Sequence, residues 1–515
     1  QLEPSWSHHG VRSEKFGQVG SMPVRKYFPF IAVEDTVTGV TWAVQLACAS
    51  SWQMEIYRRD EALCISGGLA DYDFGHWMKK LMPGEEIQTP SALITVGTGS
   101  VDEVSQRLLT IHKYNYDLIK ESNKLPVLFN EFCTTWGTPS HENIKKILDI
   151  IKDRGVEYFV IDAGWSADKV NGWDTTVGDW IVSTELFPEG LQETVKMIKE
   201  AGMQPGIWFE FENCCPKAKA YQLEEHLLKR NGKVITAGVR RFWDMKDPWV
   251  VEYLTKRVIL LLKQYGFKYL KVDYNETIGI GCDGYESLGE GLRQRVLASQ
   301  AFFRSIREEI PDIVIENCSS GGHRLEASMM SICDFASFSD AHECNEIPII
   351  AANLHRVINP CQSQIWAVLR KTDTLRRIVY SVANTFLGVM CLSGDVHDLN
   401  NEQWHKIDEG ISFYHSISDI ILNGTSAFLG TNLKSYRNPK GWQGIVRKSV
   451  SGEEALVLIH SFHGDFPATL KIKVDKNYKI HNIYSTFENQ VSLIDEYLRV
   501  HIKGEFEAIA IHLKL

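Results

Sequence analysis

Three polar residues, Lys271, Asp273 and Asn275, alternate along one apolar run of the sequence. In a β-strand this spacing points all three side chains to one face. An inward charge in a strand buried on both sides is costly unless it is paired or used. A lysine two residues away would favour the ionised form of Asp273 at neutral pH, and an ionised carboxylate can act as a nucleophile. The alternative is a structural ion pair without a catalytic part.

A second acidic residue, Asp340, ends another apolar run further along the chain. Two carboxyl groups about 5–5.5 Å apart suit double displacement at a sugar carbon, whereas about 6.5–9.5 Å suits direct attack by water. The sequence does not choose between these separations. Taken alone, Asp340 is weaker evidence, because an aspartate at a strand end often caps the following helix.

Both acidic residues lie in a stretch where short apolar runs alternate with amphipathic helices. The runs predict eight strands, at 127–132, 158–162, 205–210, 269–273, 312–317, 334–340, 363–368 and 389–394. Predicted helices include 141–154, 191–201, 249–265, 289–310 and 402–421, and a glycine follows each of the first three. Uniformly apolar strands and glycine-ended helices indicate a parallel sheet with helices outside, and eight repeats close into a barrel. A doubly wound open sheet is the alternative, but it rarely needs eight strands.

The fold class predicted is therefore α/β, a (β/α)8 TIM barrel flanked by an N-terminal β-sandwich segment and a C-terminal antiparallel β domain. Residues 1–120 contain short β-rich runs at 27–33, 41–46 and 91–96, followed by a predicted helix at 101–119. The barrel is assigned to 121–424. Residues 425–515 alternate apolar and polar positions at 442–446, 455–460 and 508–513, as antiparallel strands do.

The net charge of −10 argues against nucleic acid as a partner, because a phosphate surface needs a basic patch. It fits a neutral small-molecule or glycan substrate. No apolar run is long enough to span a bilayer, so no membrane partner is predicted, and a homo-oligomer is left open. The eleven irregularly spaced cysteines predict buried free thiols and slightly favour the cytoplasm without excluding secretion. Because the chain begins at Gln1 rather than Met, a processed, trimmed or incomplete start is expected.

At the strand ends the sequence resembles glycoside hydrolase family 36, the microbial α-galactosidases and their relatives, over roughly residues 126–420. The motifs that carry the resemblance are Asp162-Ala-Gly-Trp165, Gly178-Asp-Trp180 with Phe187-Pro-Glu-Gly-Leu191, Gly206-Ile-Trp-Phe-Glu210, Lys271-Val-Asp-Tyr-Asn275, Glu316-Asn-Cys-Ser-Ser-Gly-Gly-His-Arg324 and Ser339-Asp340. Each motif alone is weak, but six in order are jointly strong.

The resemblance implies a retaining exo-hydrolase of terminal α-linked galactose, with Asp273 as nucleophile and Asp340 as acid/base. The substrate-binding residues that it implies are Asp162, Trp208, Lys271, Asn275, Cys318, Gly321 and Arg324. Asp162 and Lys271 would bind sugar hydroxyls, and Trp208 would form a wall of the pocket. No cofactor and no metal are expected.

Two departures from the family motifs keep other substrates open. Ala163 stands where the family has a second aspartate, which is expected to contact the O6 hydroxyl, and His323 replaces the third glycine beside the O2 side. Galactosamine or N-acetylgalactosamine is therefore a second candidate sugar, and Glu343 and Cys344 also lie where galactosidases usually differ. A raffinose-synthase-type transglycosylase and a catalytically dead carbohydrate-binding barrel are weaker alternatives.

Three other patterns are set aside. The glycines of 279–284 spell a dinucleotide fingerprint, but they follow strand four and are separated from the next helix. Asp395-Val-His-Asp398 has no third ligand cluster, so a loop cap is favoured over half a metal site. The vicinal Cys214 and Cys215 lack a partnering CxxC or histidine cluster, and no histidine is indicated that would make Cys318 a nucleophile.

Overall fold

The computed structural model of the chain describes residues 13–59, 62–115, 125–167, 170–338, 340–342, 345–431, 433–475 and 477–515. Its centre is a closed barrel of eight parallel strands that neighbour one another in chain order. These strands are Leu128–Asn130, Tyr158–Ile161, Gln204–Phe209, Tyr269–Val272, Val314–Asn317, Phe335–Ser337, Ser363–Leu369 and Val389–Gly394. Each of the eight apolar runs contributes one strand, and the predicted fold class is confirmed.

The barrel strands are short and almost completely buried, which explains their uniformly apolar sequences. Strand four ends at Val272, so Asp273 lies directly beyond it rather than inside it. Strand six ends at Ser337, three residues before Asp340. Asp273 and Asp340 therefore follow their strands, as expected for the C-terminal face of such a barrel, whereas Lys271 lies within strand four.

The right-handed α-helices of four or more residues among the described segments are Tyr72–Gly75, Val101–Asn115, Phe132–Thr135, His141–Ile151, Trp173–Thr176, Leu191–Glu200, Pro248–Leu254, Leu260–Tyr265, Leu288–Glu309, Ala327–Met330, Ile347–Leu354, Leu375–Asn384, Asn401–Ser416 and Ser418–Asn423. Local signals explain several of their ends. Ser140 caps His141–Ile151 by accepting from the backbone N–H of Asn143 at 3.2 Å. Gly266 ends Leu260–Tyr265 in the left-handed conformation, with φ of 70°.

Two helices that the sequence predicts as continuous are interrupted. The helix predicted at 249–265 contains a π-helical turn at Thr255–Ile259, where the Thr255 hydroxyl donates to the Val251 carbonyl at 2.7 Å. The helix predicted at 402–421 breaks at Ile417, which is non-helical with φ of −110° and ψ of 8°. The last predicted residues of the helix at 101–119 lie outside the described residues.

One compact unit is formed by the described residues of Gln1–Val101, Ser166–Glu185 and Trp208–Asp334. Its N-terminal part contains two three-stranded antiparallel sheets, built from Ser13–Gln18, Trp52–Arg59 and Ala62–Leu69, and from Phe30–Asp35, Val40–Ala47 and Ser91–Thr98. Short strands also form the excursion between barrel strands three and four, at Asn213–Cys214, Lys229–Arg230, Lys233–Val234, Thr236–Ala237 and Arg240–Phe242.

The second unit comprises the described residues of Asp102–Trp165, Leu186–Ile207 and Phe335–Leu515. Its C-terminal part has a five-stranded antiparallel sheet of Thr425–Gly430, Trp442–Lys448, Glu454–Ser461, Ala508–Lys514 and Lys479–Ser485. A second sheet contains Thr469–Lys473, Tyr497–His501 and Val491–Ile494. The domain limits at 120/121 and 424/425 stay a prediction.

Candidate active site

The Asp273 side chain lies at the end of barrel strand four, where it is only 7% exposed and accepts four hydrogen bonds. Its Oδ1 accepts from the backbone N–H groups of Tyr274 and Ser320, both at 2.8 Å. Its Oδ2 accepts from the Asn275 side-chain amide at 2.8 Å and from the Trp208 indole N–H at 3.3 Å. Both carboxylate oxygens are therefore oriented by fixed donors.

These surroundings keep Asp273 ionised. Burial by itself raises the pKa of this carboxyl, but the Lys271 ammonium and the donors of Ser320, Asn275 and Tyr274 lower it, and the net shift of the pKa is downward. Lys271 is itself buried on strand four, at 3% exposure.

A second buried carboxylate, Glu210, supports the same group. It follows strand three and binds Arg240 through two hydrogen bonds, from Nε to Oε1 at 2.6 Å and from Nη2 to Oε2 at 2.9 Å. Its Oε2 also accepts from the Asn275 side chain at 2.9 Å, and its Oε1 accepts from Asn213 at 2.5 Å. Asn275 thus bridges Glu210 and Asp273, which fixes the amide that faces the nucleophile candidate.

The loop after strand five reaches Asp273 through an unusual backbone. Ser319, Ser320, Gly321 and Gly322 all have positive φ, at 51°, 53°, 73° and 106°. Left-handed backbone is unfavourable for a residue with a Cβ, and such strain persists only where the surroundings hold it. Here it directs the Ser320 N–H at the Asp273 carboxylate, while the Cys318 N–H donates to the Val272 carbonyl at 2.9 Å.

Arg324 closes this loop from beneath and does not touch Asp273. Its Nη1 donates to Glu212 at 2.6 Å and its Nε to the Ser319 hydroxyl at 2.6 Å. Its guanidinium lies over the Tyr274 ring at 4.3 Å. Burial alone lowers the pKa of Arg324, but Glu212 outweighs it and the pKa is raised, so the pair is ionic. Arg324 therefore holds the loop rather than presenting its charge beside the carboxylate.

Trp208 belongs to an aromatic cluster. Its ring packs edge-to-face against Trp173 at 5.6 Å and Trp180 at 6.0 Å, and Trp180 also contacts Phe209 at 4.9 Å. Packed rings of this kind fix an indole in one orientation.

Asp162, which lies in the second unit, follows strand two and is 2% exposed. Its Oδ2 accepts from the Asn130 amide at 2.6 Å and its Oδ1 from the Ala163 N–H at 2.8 Å. The Asp162 N–H donates to Glu131 at 2.8 Å. Ala163 therefore places a buried methyl group where the family motif has a second carboxylate, next to the well-oriented carboxylate of Asp162.

Asp340 also belongs to the second unit and is exposed in the segment after strand six. The Ala341 N–H donates to the Phe338 carbonyl at 2.9 Å, which turns the chain at this point. His342 contacts the Cys133 thiol through Nδ1 at 3.5 Å. Ser339, Glu343 and Cys344 lie outside the described residues.

A family model described as melibiase matches residues 86–424, about two thirds of the chain and nearly the whole barrel. The chain belongs to the melibiase family. The α-galactosidase Mel36A of Lactobacillus acidophilus is 27% identical over 321 residues, which cover 58% of this chain and 42% of the relative. The α-galactosidase 1 of Pediococcus pentosaceus is 24% identical over 484 residues, which cover 88% of this chain and 62% of the relative. The chain spans about half the length of the curated relatives that it matches.

Crystal structures of family 36 α-galactosidases share the fold. That of AgaA from Geobacillus stearothermophilus, in complex with 1-deoxygalactonojirimycin, aligns with a TM-score of 0.84 at 20% identity and covers 98% of this chain and 71% of that chain. The family match together with the α-galactosidase relatives confirms the resemblance that the motifs indicated, and these structures confirm the fold.

The structure places Asp273, Lys271, Asn275, Trp208 and the 318–324 loop together in the first unit. Sequence reasoning assigned no role to Arg240, which comes from the excursion between strands three and four and has no strand-end signal. It also missed the Ser320 contact, since a backbone donor depends on loop conformation and not on residue type. The acidic pair at 210 and 212 next to a strand end was the available signal for the two buried ion pairs.

Across the described segments, no group of three or more His, Cys, Asp or Glu side chains is arranged to hold a metal ion. Cys214 and Cys215 are buried free thiols, and burial raises the pKa of Cys215 to about 12. A helix long and apolar enough to cross a membrane is absent from the part of the chain described.

Proposed function

We propose that this chain is a retaining, exo-acting α-galactosidase in which Asp273 is the nucleophile and Asp340 the acid/base. The observation that carries the proposal is the state of the Asp273 carboxylate, which is buried, bound by four donors and lowered in pKa beside Lys271. Such a group can attack an electrophilic carbon without first losing a proton.

The reaction has two displacements. In the first, an Asp273 oxygen bonds to the anomeric carbon, the bond from that carbon to the leaving oxygen breaks, and Asp340 gives that oxygen its proton. In the second, Asp340 takes a proton from water, the water oxygen bonds to the anomeric carbon, and Asp273 leaves as a carboxylate. The donors that lower the pKa of Asp273 also make it a better leaving group in this second step.

Terminal α-linked galactose is the proposed sugar. The matching relatives carry the name α-galactosidase, and AgaA variants have been crystallised with raffinose and with stachyose. Asp162, Trp208, Lys271 and the 318–324 loop bind the sugar in this proposal. Because Ala163 removes a charge-assisted hydrogen bond worth about 1.5–3 kcal/mol, we expect weak discrimination at C6, which aryl α-glycosides varied at C6 and C2 would measure. A homo-oligomer stays a prediction.

The nucleophile is tested with Asp273→Gly on nitrophenyl α-galactoside. We expect kcat to fall by at least about 10³-fold, and added azide to restore nitrophenol release and give β-galactosyl azide by a single inversion. Asp340→Gly should instead give the α-azide, because Asp273 still forms the covalent intermediate and azide replaces water. Asp312→Asn is the matched control. Asp312 lies just before strand five, is half-exposed and pairs with Lys268, so the activity of this variant should be unchanged. Wild-type turnover by Asp273→Gly would refute the assignment.

Retention is tested by proton NMR of the first sugar released by the wild-type protein. The α-anomer should appear first and then mutarotate. An initial β-anomer would rule out double displacement.

A further inference from the structure

One large aromatic side chain stands exposed near the proposed acid/base. Trp136 is 55% exposed, although indoles are usually covered in folded proteins. It follows strand one, and its ring packs edge-to-face against His342 at 5.6 Å, two residues after Asp340. An exposed indole at the C-terminal face of a barrel, next to the group that protonates the leaving oxygen, is placed to meet the leaving part of a substrate.

The backbone that carries Trp136 is fixed from several sides. Trp136 has left-handed φ of 52°, and its N–H donates to the Phe132 carbonyl at 2.7 Å to close the short helix Phe132–Thr135. That helix is tied to strand eight by the Thr134 hydroxyl, which donates to the Gly394 carbonyl at 2.6 Å. On its other side, Arg370 donates from Nη1 to the Cys133 carbonyl at 2.8 Å.

The next residues of this loop are also closely packed. A Cβ on Gly164 would meet the Gly137 carbonyl oxygen at 2.1 Å, so the chain just after Trp136 lies directly against the strand-two loop. The indole is therefore held out towards solvent by a rigid support, which lowers the entropy lost when a ligand contacts it.

Arg370 and Phe132 also contact the Trp136 ring. The Arg370 guanidinium lies 5.3 Å from the centre of the Trp136 ring and pairs with Asp395 at 3.1 Å. Phe132 contacts the same indole at 5.8 Å, edge-to-face. The guanidinium lies over one side of the indole, while more than half of the Trp136 side chain stays accessible.

We infer that Trp136 is a stacking platform for the leaving-group part of the substrate, and that the substrates favoured are α-galactosides whose aglycone has a flat apolar face, such as another sugar ring or an aryl group. This inference rests on the proposed function and adds to it a binding residue for the part of the substrate that is released. Stacking on an indole needs no charge on the aglycone, so neutral oligosaccharides suffice.

The test compares two substrates that differ only in their leaving group. Raffinose carries a sugar aglycone, whereas α-galactosyl fluoride has none. We expect Trp136→Ala to lower the ratio of kcat/KM for raffinose to kcat/KM for the fluoride by about tenfold, mainly through KM, and Trp136→Phe to recover most of that ratio. Trp42→Ala removes an indole of similar exposure, 42%, from the N-terminal sheet and should leave the ratio as it is.

Circular dichroism and melting temperature of Trp136→Ala check that the loop still folds. An unchanged ratio, or equal losses on both substrates, would overturn the platform while leaving the hydrolase standing. A wild-type protein that releases galactose from neither substrate would instead overturn the proposed function. The two failures are therefore distinguishable.

Discussion

Replacing Asn275 by alanine removes one of the four donors on Asp273, the amide that lies 2.8 Å from Oδ2. A hydrogen bond to a charged group contributes about 1.5–3 kcal/mol, and one pKa unit corresponds to about 1.36 kcal/mol. Loss of this donor should therefore raise the pKa of Asp273 by about 1–2 units. In the proposed mechanism the carboxylate is the active form. Because the wild-type pKa is lowered, activity should persist into acid, and the variant should lose activity at a higher pH.

The assay is the pH dependence of kcat/KM for nitrophenyl α-galactoside, with each time point quenched in alkali so that nitrophenol is read in one ionisation state. The acid limb of kcat/KM reports the free enzyme's essential base. In Asn275→Ala the acid limb should move to higher pH by about 1–2 pH units, however far the plateau value of kcat/KM falls.

Asn213→Ala is the matched control, because Asn213 donates to Glu210 at 2.5 Å and is not one of the four donors to Asp273. Its acid limb should stay at the wild-type position. An unmoved limb in a folded Asn275→Ala protein, or equal shifts in both variants, would refute the idea that direct donation to Asp273 sets its ionisation.

Three further perturbations address stability. Arg324→Leu leaves buried Glu212 without its partner and should lower the free energy of unfolding in urea by about 3–5 kcal/mol. Gly164→Ala should lower the melting temperature sharply, since φ is 110° at this position and the new Cβ would meet a carbonyl oxygen at 2.1 Å. Gly39→Ala is the control: its φ is 69° but nothing lies within 4 Å of the new Cβ, so only the cost of the backbone conformation lowers its melting temperature. His460 has its pKa lowered by burial to about 3, so the unfolded chain binds the extra proton and stability should fall as pH drops below about 6.5, by up to about 1.36 kcal/mol per unit. Urea unfolding at pH 7.5 and pH 5 should show a smaller difference for His460→Phe than for the wild type.

Each stability prediction has a contrary outcome. The assignment of Arg324 as the stabilising partner of buried Glu212 fails if Arg324→Leu lowers the free energy of unfolding no more than the loss of an exposed ion pair does. The steric account fails if both glycine variants melt at the same temperature. The histidine account fails if His460→Phe keeps the full pH dependence.

The barrel could be predicted because every barrel strand is buried on both faces and so reads as an apolar run ended by a polar residue. This rule placed Asp273 and Asp340 at strand ends and the alternation of strand four added Lys271, whereas the roles predicted for them came from the resemblance of the motifs. The continuity of the helices was predicted less well, since the helix predicted at 249–265 contains a π-helical turn at Thr255–Ile259, where the Thr255 hydroxyl donates to the Val251 carbonyl. Local patterns do not encode such an event.

The remaining parts of the site arise from contacts between residues distant in sequence. Arg240 reaches Glu210 over thirty positions, and Ser320 reaches Asp273 with a backbone atom through a left-handed turn. Arg324 was predicted to border the sugar, a role that stays a prediction, but its Glu212 partner could not be seen in the sequence. Pairings of this kind become visible only when the strands are closed into the barrel.

The excursion between strands three and four has a consequence for engineering a smaller enzyme. It looks like a removable insertion, with strands of two or three residues at Lys229–Arg230, Thr236–Ala237 and Arg240–Phe242. Yet it delivers the counter-ion of a carboxylate with 0% exposure. Trimming it to a minimal turn would leave that buried negative charge unpaired, two hydrogen bonds from Asp273, so a shortened protein would need a neutral residue at 210 to fold.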